Sequence, residues 1–144
     1  MIDLMCKTKV GDSFEFSTNN DLQIDPFNGD LIMINGKDLL AQLIAKMFLT
    51  EKNENLLNPD LGSTIFDINV QLENSAYLEA LLEDEIVRVL ALVYMITKDS
   101  DNKDEIISRV DSFEITDVTS NSFKLNLNII NQTNQLVQIP ISEE

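Results

Sequence analysis

The sequence predicts an α+β fold: a single small domain in which two main helices pack on a small, mostly antiparallel sheet that ends in a C-terminal β-hairpin. Three observations predict it. Apolar residues recur at spacings of three and four in two central segments, the signature of helices with one buried face. Strict two-residue alternation occupies the C-terminal end, which is the period of a strand. The 144 residues suffice for one hydrophobic core and are too few for two ordinary domains. The domain is taken as 1–144, with residues 1 to about 20 as a candidate extension.

Near the start, Phe14 and Phe16 alternate with polar residues, and Leu22, Ile24 and the 31–34 segment read as short extended pieces. Between them, Asp25-Pro26-Phe27-Asn28-Gly29 carries turn chemistry. After Asn35-Gly36, the residues Leu39, Leu40, Leu43, Ile44, Met47 and Phe48 define an amphipathic helix. Residues 53–62 read as a loop, since Asn58-Pro59-Asp60 favours a turn and Pro59 cannot continue a helix. A second helix is expected over about 74–96, with Glu73 and Glu79 near its positive end. From Ile86 to Ile96 nearly every position except Arg88 is apolar, so this half should be covered on more than one side, by the domain's own sheet or by a partner. Residues 99–105 form a charged loop leading into a short helical or irregular piece at 106–110. In the closing hairpin Phe123, Leu125, Leu127 and Ile129 form one apolar row and Val137, Ile139 and Ile141 the other. Pro140 lacks a backbone donor and places the last strand at a sheet edge.

Charge narrows the partners. The chain carries 25 acids against 10 bases, a formal net charge of −15, which disfavours nucleic acid and anionic membranes and favours partners with basic surfaces. The first residues hold no apolar run behind a basic segment, so no secretion signal is expected, and the 86–96 stretch is too short to span a bilayer. Cys6 is the only cysteine and histidine is absent, which removes internal disulfides, Ser-His-Asp and Cys-His catalysis and the common zinc sites. Cys6 itself is expected to be an inert buried or N-terminal thiol.

Specific chemistry was sought segment by segment. The 99–110 stretch begins like a calcium loop, but Lys103 takes the third ligand position, Asp104 replaces the glycine and Val110 the final glutamate. No metal and no cofactor is expected. Asn131-Gln132-Thr133 matches a glycosylation sequon and reads as turn residues. Glu51 and Glu54 are the carboxylate pair to test for glycoside hydrolysis, although nothing near them suggests an aromatic sugar cleft.

The residues Asp30-Leu31 through Asn35-Gly36, then Leu39, Gln42, Leu43-Ile44 and Leu49-Thr50, followed by Leu57-Asn58-Pro59-Asp60-Leu61-Gly62-Ser63, resemble the baseplate wedge and sheath-initiator family of contractile-tailed phages and related injection machines. That family, often labelled lysozyme-like, has a helix ending in Leu-Thr, a loop and an Asn-Pro-aromatic-Gly-Ser turn before a second long helix. Here Leu61 stands where an aromatic is common, and Lys52-Asn53 where Pro-Gly is usual. Of the family's Glu-Pro-Arg signature only the arginine is matched, by Arg109.

The resemblance implies a scaffold rather than an enzyme. It implies a ring of six copies in the virion tail baseplate, assembled in the host cytoplasm, each bound to a helix bundle of larger wedge proteins and facing the tail sheath protein. Arg109, Asn58, Pro59 and Gly62 are the candidate wedge contacts. The hairpin is the candidate sheath contact, with Leu125, Leu127, Ile129, Val137, Ile139 and Ile141 setting register and its open edge offering backbone groups to an incoming strand. The alternatives are a small regulatory protein-binding module and a peptidoglycan hydrolase.

Overall fold

The computed structural model describes residues 3–4, 8–10 and 13–17 as backbone, and residues 27–30, 32–54, 56–68, 75–119 and 122–142 in fuller detail. The element order is β1 (Asp3–Leu4), β2 (Thr8–Val10), β3 (Ser13–Ser17), β4 (Met33–Ile34), α1 (Gly36–Leu49), α2 (Ser75–Thr97), β5 (Ile107–Thr116), β6 (Lys124–Asn131) and β7 (Leu136–Ser142), with 3₁₀ turns at Ile65–Asp67 and Lys103–Glu105. The architecture is α+β: two main helices on a mostly antiparallel sheet closed by a C-terminal hairpin. Residues 22–24, the start of the 25–29 turn, Cys6 and Glu73 lie outside the described residues.

Each helix forms where its apolar period begins. Leu39, Leu40, Ile44 and Phe48 of α1 are at most 1% exposed, as are Ile86, Val89 and Val93 of α2. Apart from Leu39, these rows meet each other and the inner face of the sheet in one core cluster, which Ile65 and Phe123 also enter. A 3.6-residue period delivers this in a helix because every third or fourth side chain returns to the same face. The described residues of the domain leave a second side of α2 uncovered: Val87, Tyr94, Met95 and Ile96 are between 42% and 60% exposed.

The sheet order is β2-β3-β7-β6-β5, and β1 pairs separately with β4. In the hairpin Leu125 faces Ile141, Leu127 faces Ile139 and Ile129 faces Val137. All six are 4% exposed or less, so the hairpin's apolar face is the domain's own core. Asn131 closes the turn: its side-chain oxygen accepts from the Thr133 and Gln135 amides, while its amide group donates to the Asp104 carbonyl. The sequon residues thus serve as a turn, with Asn134 in the left-handed region at φ 62°.

Two expectations need correction. The last strand is not an edge, because β3 joins β7 in parallel at Phe16↔Ile141 and Ser17↔Ser142. Pro140 is tolerated because β3 does not pair with β7 before Ile141, leaving the proline nitrogen free of that ladder. The 106–110 segment is not a helical or irregular piece but runs into β5, the terminal strand of the order. Its spacing misleads because β5 carries two register shifts, between Ile107 and Arg109 and between Val110 and Ser112. Ile107, Val110, Phe113 and Ile115 therefore oppose Asn131, Ile129, Leu127 and Leu125 in order, so a three-residue spacing on β5 matches a two-residue spacing on β6.

Candidate partner-binding site

The loop that follows α1 folds back on itself before it reaches α2. Thr50 ends α1, its hydroxyl donating to the Lys46 carbonyl at 2.7 Å. The Asn53 amide donates to the Pro59 carbonyl at 2.9 Å, the Leu61 amide to the Asn58 carbonyl at 3.2 Å, and the Ser63 amide to the Thr50 carbonyl at 2.8 Å. Gly62 makes this closure possible. It holds φ +105°, and a Cβ there would sit 2.5 Å from the Thr50 carbonyl oxygen and 2.8 Å from that of Glu51. Only glycine fits both the torsion and the approach.

Arg88 and Glu85 fasten this turn to α2. One terminal nitrogen of Arg88 donates to the Gly62 carbonyl at 2.6 Å and to the Glu85 carboxylate at 2.7 Å, and the other donates to the Asp60 carbonyl at 3.2 Å. Glu85 Oε1 also accepts from the Ser63 hydroxyl at 3.1 Å and the Thr64 amide at 2.9 Å. Burial pushes the Glu85 carboxyl up, but the Arg88 guanidinium, the Thr64 amide and the Ser63 hydroxyl outweigh it and hold the group below its ordinary range. The Glu85 carboxylate in turn raises the pKa of Arg88. A planar fork that reaches two carbonyls and a carboxylate at once is a task for arginine rather than lysine.

Of the candidate wedge contacts, the structure gathers Asn58, Pro59 and Gly62 into this turn and places Arg109 elsewhere, exposed on β5. The arginine that holds the turn is Arg88, which the sequence presents only as the interruption of an apolar run. A signal was available: a lone arginine flanked by Val87 and Val89, three residues after Glu85, needs a carboxylate and further acceptors if it is to be half-buried. The turn's outer side carries Leu56 and Leu57, which are 94% and 97% exposed.

The other candidates fall apart from this turn or into the core. Leu125, Leu127, Ile129, Val137, Ile139 and Ile141 are interior and do not present their side chains to solvent. Glu54 Oε2 accepts the Glu51 amide at 3.1 Å, so that carboxylate closes its own loop. A cavity of about 160 Å³ lies beside them, lined by Phe48, Glu51, Glu54, Ser63 and Phe66 among others. Elsewhere the fully buried Glu105 ties the 99–105 loop to the start of α1. It accepts from the Ser100 hydroxyl at 2.6 Å and the Gly36 amide at 3.2 Å. Burial pushes its carboxyl up, and hydrogen bonds, these two among them, bring it below the ordinary range.

A scan of protein-family models and a search of curated proteins give no match to this chain. Among solved structures, the chain matches a crystal structure from Geobacter sulfurreducens named "putative tail lysozyme", at 17% identity and a TM-score of 0.56. The match covers 77% of this chain and 92% of that one, and the two share a fold.

Proposed function

We propose that the chain is a structural subunit of a contractile-tail baseplate rather than an enzyme. In this reading it binds a wedge helix bundle through the 56–63 turn and initiates the sheath through its C-terminal sheet. The observation that carries the reading is the pinned turn: two almost fully exposed leucines stand on a loop whose backbone is locked by Arg88, Glu85 and Gly62. Exposed leucines on a rigid support suit docking, because burying each contributes roughly 1.5–3 kcal/mol and little loop entropy is lost on binding. The fold shared with a protein named a putative tail lysozyme supports the setting. The net charge of −15 supports partners with basic surfaces.

In this reading the sheath contact lies on β5 rather than on the last strand, because β5 ends the sheet order. That strand has ten residues, lies at the end of the sheet order and has β6 as its one neighbour among the described strands. An edge of this kind offers unpaired backbone groups to an incoming strand. Hydrogen exchange of the protein alone and within isolated tails tests both contacts. Slower exchange is expected at 56–63 and 107–116 in the assembled particle; unchanged exchange in both would refute the reading.

A hydrolase reading has one observation in its favour, the name of the structural neighbour. Clearance of purified peptidoglycan by the intact protein, lost on Glu51→Gln or Glu54→Gln, would establish it in place of the scaffold.

A further inference from the structure

Beside β5 lies an open groove of about 600 Å³ whose other wall is the first half of α2. Six consecutive β5 residues, 110–115, line it. Neighbouring residues of a strand point to opposite faces, so a cavity that touches both sets must run along the strand's edge. The helix wall supplies Leu78 and Leu82 on its inner side and Glu79 and Glu83 at the lip, each pair one turn apart. Val110, Phe113 and Ile115 are only half-buried there, so the floor is apolar and incompletely covered.

The rim is of one sign. Glu79 and Glu83 stand on the helix side, Asp111 and Glu114 on β5, all four exposed, and among the described residues no lysine or arginine lines the groove. Among the described residues, none of the four carboxylates takes a side-chain hydrogen bond or ion pair. A second copy is a poor occupant, since pairing two β5 edges would set Asp111 and Glu114 of one chain against those of the other.

We propose that this groove receives an extended segment of a partner protein that adds to β5 as a strand, with apolar residues on its inward face and lysines or arginines opposite the four carboxylates. This rests on the sheath-initiator reading and names the chemistry of the strand it would accept. The backbone edge supplies general affinity, and the carboxylates, spaced along both lips, select charge.

The test uses three ten-residue peptides that alternate valine with lysine, threonine or glutamate, added to the isotope-labelled full chain and followed by amide chemical shifts. The lysine peptide is expected to shift residues 78–83 and 110–115 and to bind about tenfold tighter than the threonine peptide at low salt, the summed effect of several exposed ion pairs. The preference should shrink in 0.5 M salt, where screening is within a few ångströms. It should vanish in the Glu79→Gln, Glu83→Gln, Asp111→Asn, Glu114→Gln variant, whose changes are all at exposed positions. Equal binding of lysine and threonine peptides at the groove would overturn the charge selection and leave edge pairing intact. Shifts scattered over other acidic surfaces, or none at 110–115 with any peptide, would overturn the groove as a docking site. The scaffold reading would then stand or fall on exchange at 56–63 in the particle.

Discussion

Replacing Gly62 by alanine should damage the protein far more than the added methyl suggests. The residue sits at φ +105°, well outside the region that an L-amino acid enters cheaply, and holding alanine there costs about 1–3 kcal/mol. The new Cβ would also lie 2.5 Å from the Thr50 carbonyl oxygen, a backbone atom fixed by the end of α1 and unable to rotate away. Relieving that clash means lengthening the Ser63 to Thr50 hydrogen bond, now 2.8 Å, and overpacking of this kind costs a further 1–3 kcal/mol or so. The sum is about 2–6 kcal/mol, which for a chain of this length lowers the melting temperature by roughly 5–20 °C. Gly29 is the control: its φ is +77°, but nothing lies within 4 Å of its Cβ position. Gly29→Ala should therefore cost only about 1 kcal/mol, the torsional part alone. Thermal and urea unfolding followed by circular dichroism measure both. Equal effects of the two substitutions would refute the steric argument, and a loss below about 1 kcal/mol at Gly62 would refute the account of the turn altogether.

Arg88→Ala removes the fork that joins Asp60, Gly62 and Glu85, and should destabilise the protein by about 2–3 kcal/mol, whereas Arg109→Ala on the exposed strand should change stability by less than about 0.5 kcal/mol. Urea titration of the two variants separates them. Leu127→Ala, at a position with 0% exposure, should cost about 2–5 kcal/mol in the free protein, because the side chain fills the core; an unchanged urea midpoint would instead return Leu127 to the candidate sheath surface. Acid should weaken the fold in a particular direction. Glu85 and Glu105 have carboxyls held below 4.5, the ordinary value, so the folded state binds their protons less readily than the unfolded chain does. Their contribution is complete above that value and lost as pH falls through the folded one, and Glu105→Gln should flatten the acid limb of a stability-versus-pH curve.

The helices and the hairpin were legible because burial writes its period into the sequence: Leu39 to Phe48 and Leu125 to Ile141 bury the side chains that their spacing selects. The 107–110 part of β5 was not, because its register shifts give a strand the three-residue apolar spacing of a helix. The edge was misplaced for a related reason. Pro140 reports only that one backbone nitrogen lacks a ladder partner, and β3 meets that condition by pairing no earlier than Ile141. The turn at Asn58-Pro59-Asp60 was legible through local turn chemistry, which needs no long-range information. The role of Arg88 in holding the turn was not legible, because which side chain reaches a turn depends on how the loop crosses α2, a tertiary fact. The exposed outer face of α2, with Tyr94 and Met95, shows the same limit, since composition records apolar residues without saying whether anything covers them.

The proposal that this chain is a scaffold of a contractile tail is tested by tagging it in cells that make the particle, capturing it gently and identifying by mass spectrometry what accompanies it. Wedge and sheath proteins are expected in amounts comparable with the chain, both lost when Leu56 and Leu57 are changed to serine and Glu79, Glu83, Asp111 and Glu114 are neutralised together. Recovery of a lone regulatory partner, or of the chain by itself with wall-degrading activity, would contradict it.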